Sequence, residues 1–382
     1  MKKVLGLTLA AVIALSMAAC GGAAASTAQS DSVVIGGLAP LTGAVSQYGI
    51  AANNGALLAV KDANEAGGVL GKNIEYVYED EKGDATEALN AYNKLVQNDK
   101  IIALVGDVTT KPTLAVAQKA AEDGLPMITP TATGAEVTQK GDNIFRACFI
   151  DPYQGELMAH YAFEKLGATT AAILYDTGDD YSDGVAKAFE ATAKELGITV
   201  TATEGYASGS SDFNAQLTKI KEGNPDVIMA PCYYEDAAKI IVQARNLGIE
   251  STFLGPDGWD GVLDQIDASN ASALNNSYYC SQYPMKDPTP ELQAFIDKYK
   301  AEYGEEPNMF AALGYEAMQL MLASIEKAGT TDSAAIVEAM KGIQYQGIVG
   351  SISFANGNDP VREAYIIEFE DGAEVVQGAY GF

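Results

Sequence analysis

Two kinds of side chain gather where short apolar runs of this chain end. Thr109, Thr110, Lys111, Thr131, Ala132 and Thr133 follow two such runs, and Thr42, Ser46, Gln47 and Tyr48 follow an earlier one. Further on, the corresponding positions are Asp176, Tyr181, Tyr233, Tyr234, Asp257 and Trp259. Threonine hydroxyls and the backbone N–H groups of a helix start can hold a carboxylate. An ammonium needs a carboxylate and acceptor oxygens. Burying either charge is costly unless it is paired and hydrogen-bonded, so a set offering both suits a zwitterion. Tyrosine rings would wall in its side chain.

Catalytic chemistry finds little support. The one histidine, His160, lies between Ala159 and Tyr161 in a helical stretch, with no Ser or Cys nucleophile at a recognisable elbow. It reads as a helix-surface residue, not as a triad member. No Gly-x-Gly-x-x-Gly follows a strand and no phosphate-binding Gly-rich loop with Lys-Ser/Thr exists, so no nucleotide cofactor is expected. Asp179, Tyr181, Asp183, Gly184 and Glu190 mimic a calcium loop, but Tyr181 takes a ligand position and Lys187 adds a cation, so calcium is rejected. A strand-to-helix turn with Asp183 near the helix start as a cap reads better. Glu79-Asp80-Glu81 reads as a solvated loop. Cys148, Cys232 and Cys280 show no zinc spacing, so no metal is expected; they read as buried thiols, with one disulfide between two of them as the alternative.

The elements that would position these residues alternate regularly. Val33 to Leu38 is a continuous apolar run ended by Pro40, the pattern of a buried parallel strand. A helix over 49–65 follows, stopped by Gly67-Gly68. The cycle repeats as strand 73–78, helix 84–98, strand 101–105, helix 112–122, and strands 125–129 and 144–148. After Asp151-Pro152 a second series runs as helix 153–166, strand 171–175, helix 183–196, strand 199–203, helix 213–222, strand 226–230, helix 235–247 and strand 252–254. Such alternation predicts parallel sheets covered by helices on both faces, in two Rossmann-like α/β lobes. Helices 289–303, 310–328 and 333–341 and β-rich runs at 351–354 and 364–370 then return to complete both lobes, giving a multi-stranded hinge. In open α/β sheets ligands sit beyond the carboxyl ends of the strands, where the inventory above falls.

The chain's ends and charge set its setting. Lys2 and Lys3, the apolar run from Val4 to Leu15 and Met17-Ala18-Ala19 read as a cleaved signal peptide over 1–19. Cys20 directly after the small residues resembles a bacterial lipobox, with Met17 where Leu is commonest. That resemblance implies cleavage before Cys20, lipid on its sulfur, and a leash over 20–30 tethering the protein outside the cytoplasmic membrane. Of 382 residues 24 are basic and 51 acidic, a net charge of -27; losing Lys2 and Lys3 takes it to -29. So acidic a surface repels phosphate backbones, and no nucleic-acid partner is expected.

Four segments then carry a resemblance: Gly43-Ala44-Val45-Ser46-Gln47-Tyr48-Gly49, Ala63-Asn64-Glu65-Ala66-Gly67-Gly68, Pro126-Met127-Ile128-Thr129-Pro130-Thr131-Ala132-Thr133, and Phe253-Leu254-Gly255-Pro256-Asp257-Gly258. In order and spacing the mature chain resembles the periplasmic-binding-protein type I family, in particular the leucine/isoleucine/valine-binding proteins of ABC importers. The resemblance implies that Thr110 and Thr133 hold a ligand carboxylate, that Thr131 offers its backbone, and that Asp257 meets the ammonium. It places Tyr48, Tyr181 and Tyr233 along the cleft. Asp257 stands where the best-known members have the longer Glu, which implies a closer ammonium or a bridging water. Trp259 and Lys111 stand where those members have smaller or uncharged residues, which bears on the side chain accepted. Lobe 1 is expected over 31–151 plus 281–354 and lobe 2 over 152–280 plus 355–382. The resemblance implies a monomer that captures an amino acid, most simply a branched aliphatic one, and delivers it to an ABC permease. A ligand-sensing lipoprotein, or a binder of an aromatic or small polar amino acid or amide, is the alternative; an exported enzyme is disfavoured.

Overall fold

A computed structural model describes residues 32–354 and 357–382, so the expected signal, Cys20 and the leash lie outside the described residues. The first series forms β1 (Val33–Ala39), α1 (Ser46–Glu65), β2 (Ile74–Asp80), α2 (Ala85–Lys94), β3 (Ala103–Val105), α3 (Thr110–Asp123), β4 (Met127–Thr129) and β5 (Ile144–Arg146). Its five strands pair in parallel in the order β2-β1-β3-β4-β5. Apolar side chains leave this sheet on both faces. Ile35 and Val105 belong to the core shared with α1, while Leu38, Leu104 and Met127 pack with α2 and α3. Each large side chain so buried contributes roughly 1.5–3 kcal/mol.

The second series is α4 (Asp151–Glu164), β6 (Thr170–Asp176), α5 (Asp180–Glu195), β7 (Thr199–Tyr206), α6 (Asn214–Gly223), β8 (Val227–Met229), α7 (Tyr234–Asn246), β9 (Thr252–Gly255) and β10 (Ser277–Ser281). Ile173 and Met229 face the α4–α5 layer; Leu174 and Ile228 face α6 and α7. The chain continues as α8 (Pro290–Tyr303), α9 (Met309–Ala328), α10 (Ser333–Lys341), β11 (Gln344–Gln346), β12 (Ser351–Ser353), β13 (Ala364–Glu370) and β14 (Ala373–Tyr380). The second sheet runs β14-β13-β10-β9-β8-β6-β7, parallel except for its last two strands, β13 and β14, which are antiparallel. The expected β run at 351–354 joins neither large sheet. It pairs as β12 with β11 in a small hairpin of its own.

α9 returns to the first sheet and lies along α1. The two helices approach through glycines: a Cβ on Gly55 would sit 2.0 Å from the Ala311 carbonyl oxygen, and one on Gly314 2.0 Å from that of Ala52. No side chain fits there. Because α9 follows β10 and precedes β13, the chain crosses between the two sheets three times, at 147–150, 282–289 and, among the described residues, 357–363.

Helix starts follow local chemistry. Asp84 caps α2 by accepting from the N–H groups of Thr86 and Glu87. At α5 the cap is Asp179, which accepts from the Ser182 N–H, and not Asp183, which lies inside the helix and pairs with Lys187. The expected helix over 84–98 stays α-helical only to Lys94; one wider turn covers Leu95–Asp99, ending at a left-handed Lys100. Among the described residues no helix is long and apolar enough to cross a membrane.

Candidate functional site

The strand ends of the two sheets face each other, and seven side chains from both surround one cavity. Tyr48 comes from the first turn of α1, Thr110 opens α3, and Thr131 and Thr133 follow β4. From the other side Tyr181 comes from the first turn of α5, Tyr233 precedes α7, and Asp257 opens a 3-10 turn after β9. All seven line the cavity, together with Val108, Thr109, Gly258 and Phe310. The enclosed space is about 10 Å³, on the order of one water. The lobes are shut on one another.

Tyr48 does much of the shutting. Its hydroxyl donates to the Gly258 carbonyl at 2.5 Å and accepts from the Tyr234 N–H at 3.1 Å. Gln47 adds a backbone N–H to the Tyr234 hydroxyl at 3.4 Å and an amide to Asp264 at 3.3 Å. At the rim Lys111 donates to the Gly178 carbonyl at 3.1 Å. The Tyr48 ring stacks on Phe310 with centroids 4.2 Å apart, and Tyr181 stacks on Tyr233 at 5.0 Å, nearly parallel. The apolar wall is therefore two stacked pairs.

The polar groups divide as their types require. Thr110 accepts from the Gly134 N–H at 3.1 Å, and no side chain caps the start of α3, so that helix start keeps free N–H groups. The Thr131 hydroxyl donates to the Val108 carbonyl at 2.6 Å, and its N–H to the Thr129 hydroxyl at 3.4 Å. Asp257 is 3 % exposed and accepts from the Tyr181 hydroxyl at 2.8 Å. Burial pushes its carboxyl up to about 6, against the hydrogen bonds from Tyr181 and Gln154. Behind it lies Asp151, raised well above the usual range by burial, against its side-chain contact with Thr133. Among the described residues no lysine or arginine lines the cavity.

Several residues here were not singled out in the sequence. Gln154, fully buried in α4, accepts from the Asp257 N–H at 2.8 Å and so sets the turn that aims the carboxyl. Phe310 opens α9, an element far away in the chain. Glu81, read as part of a solvated loop, is instead fully buried and faces Asp107; burial raises both, to about 9 and about 7. Glu79 and Asp80 are not a loop either: they end β2, half-buried, where Asp80 accepts from the Leu41 N–H at 2.9 Å and the Thr42 hydroxyl at 2.6 Å. Trp259 does not line the cavity. Its indole N–H donates to Ala230 at 2.9 Å, and its ring fills the space beside Gly255, where a Cβ would lie 2.1 Å away. Lys111 is exposed at the rim and does not line it either. His160 is half-buried, stacked on Phe382 at 4.3 Å and 3.6 Å from Glu164, far from catalytic company. Cys148, Cys232 and Cys280 are buried free thiols, and among the described residues no cluster could hold a metal ion.

Two α/β lobes shut over a cavity of complementary polar groups and stacked aromatics define a ligand trap of the two-lobed binding-protein class. The profile of the Periplasmic binding protein family matches residues 32–374, and the chain belongs to that family, whose members work outside the cytoplasmic membrane. It is 31 % identical over 345 residues to the leucine-, isoleucine-, valine-, threonine- and alanine-binding protein of Pseudomonas aeruginosa, covering 90 % of this chain and 91 % of that one. The leucine-binding protein LivK of Thermotoga maritima superposes with a TM-score of 0.85 at 33 % identity, over 91 % of this chain and 98 % of that one. LivJ of Streptococcus pneumoniae, solved with isoleucine, gives 0.84 at 34 % identity over the same shares.

Proposed function

We propose that this protein captures a free amino acid, with a branched aliphatic side chain, between its lobes and delivers it to the permease of an ABC importer. Thr110, Thr133 and the uncapped start of α3 hold the carboxylate. Asp257 meets the ammonium, with acceptor help from the Thr131 backbone. Tyr48, Tyr181, Tyr233 and Phe310 enclose the side chain. The observation that carries this reading is the buried Asp257 carboxyl in a cleft lined, among the described residues, by no cationic side chain. A buried carboxylate without a cation is costly, and a ligand ammonium removes that cost. The similarity to LivK and LivJ supports the aliphatic preference. The closed cavity is too small to admit an amino acid as it stands, so capture requires the lobes to part and close again. Delivery is by a monomer, cut before Cys20 and held at the membrane by lipid on that sulfur.

A thermal-shift screen over the amino acids and benzoate tests the ligand class. Leucine, isoleucine and valine should raise the melting temperature in proportion to the logarithm of their concentration, by linkage. If none of the amino acids moves it, the proposal is wrong; if an aromatic one moves it most, the aliphatic assignment alone falls.

A further inference from the structure

The turn after β9 carries another buried carboxyl besides Asp257. Asp260, whose N–H donates to the Asp257 carbonyl at 3.1 Å, is 8 % exposed. Its Oδ2 accepts from the Met309 N–H at 3.0 Å, and Oδ1 meets no donor among the described residues. Asp260 lines a cavity of about 510 Å³ that shares no residue with the amino-acid cleft. Glu374 of β14, half-buried, lines the same cavity. The Tyr279 hydroxyl donates to its Oε1 at 2.9 Å, and Oε2 meets no donor among the described residues. Neither free oxygen is sealed from water, so both are open to a ligand. Burial and then the charge of Glu374 raise Asp260 to about 8, and burial raises Glu374. Lys286 lines the cavity as well, but it pairs at 3.6 Å with the exposed Glu306 and with neither of these carboxyls. Two buried carboxyls, each with a free oxygen and no cation of the protein, call for a cation from outside.

We propose that this cavity is a second ligand site, for a small primary alkylammonium ion held by Asp260 Oδ1 and Glu374 Oε2. An ammonium brings three N–H donors, so the two oxygens leave one for water. Asp264, exposed at the same cavity, adds a negative charge. The half-buried side chains of Leu263 and Met285 give the hydrocarbon tail an apolar surface. A metal ion fits less well. Calcium takes about six to eight oxygens, and among the described residues no three carboxylate, thiol or imidazole groups stand together to begin such a set.

The test is thermal unfolding of the full chain at about pH 8.5, where Asp260 is free to ionise and an alkylammonium, like lysine, keeps its proton. The probe is n-butylammonium chloride, against tetraethylammonium chloride at equal ionic strength, which has charge and hydrocarbon but no N–H. A saturable rise of about 2 °C is expected with n-butylammonium alone. Asp260→Asn keeps an acceptor for the Met309 N–H, and Glu374→Gln keeps one for the Tyr279 hydroxyl; each should lose most of the rise. Reading both keeps the test open should one of them fold poorly. Asp257→Ala should retain the rise, which separates this site from the amino-acid cleft. Equal melting temperatures in the two salts would overturn the site and leave the two carboxyls to share a proton. So would a full rise in Asp260→Asn or Glu374→Gln, loss of the rise in Asp257→Ala, or a rise that calcium chloride produces and the amine does not.

Discussion

At the scale of single residues the protein is organised around Asp257. Its carboxyl is raised by burial to about 6, so in the shut, ligand-free cleft it binds a proton more tightly than in the unfolded chain. Its contribution to stability is therefore full below about pH 4, the unfolded value, and is lost as pH rises through about 6. A ligand ammonium reverses this preference by favouring the carboxylate. Amino-acid affinity should then be flat above pH 7 and fall below about pH 6, by up to about tenfold per unit, with proton release on binding. Calorimetry in buffers of different ionisation enthalpy reads both quantities. Asp257→Ala should abolish the proton release and cost about 3–5 kcal/mol of binding, about 150- to 4,000-fold in Kd. Unchanged affinity in that variant would remove Asp257 from the site.

At the scale of elements the site depends on a helix crossing that no local pattern announces. Tyr48 stands on α1 and Phe310 on α9, and their stacking at 4.2 Å requires the close approach that Gly55 and Gly314 permit. Gly314→Ala should push the helices apart, cost about 1–3 kcal/mol of stability, and weaken ligand binding through the displaced aromatic pair. A urea midpoint and a Kd indistinguishable from the parent's would show that the crossing is not needed. The helices themselves were legible: the apolar period over 310–328 reappears as Met309–Ala328. Their partnership was not, because it is fixed by two glycines 259 positions apart. Strands were legible where apolar residues run continuously, as in β1. They were missed where burial falls on tyrosine and serine, as in β10, or where a strand is largely half-exposed, as in β14. The strand-end rule offered a wider inventory, from which the family resemblance selected Tyr48, Thr110, Thr131, Thr133, Tyr181, Tyr233 and Asp257, and these seven line one cavity, whereas Asp176 and Tyr234 do not. It could not find Gln154 or Glu81, whose places depend on what the loops meet after folding, and it misjudged Trp259, which lies one residue too far round its turn.

At the scale of the whole molecule the question is how binding in a cleft becomes a signal to a partner. The two lobes touch across the cleft through few polar bonds, and one hydroxyl supplies two of them. Tyr48 joins the Gly258 carbonyl and the Tyr234 N–H of the second lobe at 2.5 and 3.1 Å, all three buried when the lobes are shut. With the lobes apart, water meets the same two backbone groups. Tyr48→Phe therefore leaves them unpaired only in the shut form, a penalty of about 1–3 kcal/mol that falls on closure and not on the stability of either lobe. The population shifts toward the open form by the same amount. Ligand should still enter at close to the parent rate but leave about 5- to 150-fold faster, since closure follows encounter and holds the bound state. Small-angle scattering of the ligand-free variant should show a larger radius of gyration, while its thermal unfolding changes little. A variant that binds more slowly, releases at the parent rate and keeps the parent's radius would mean that the Tyr48 hydroxyl shapes the pocket without holding the lobes together, and closure would then rest on the Lys111 and Gln47 bonds at the rim.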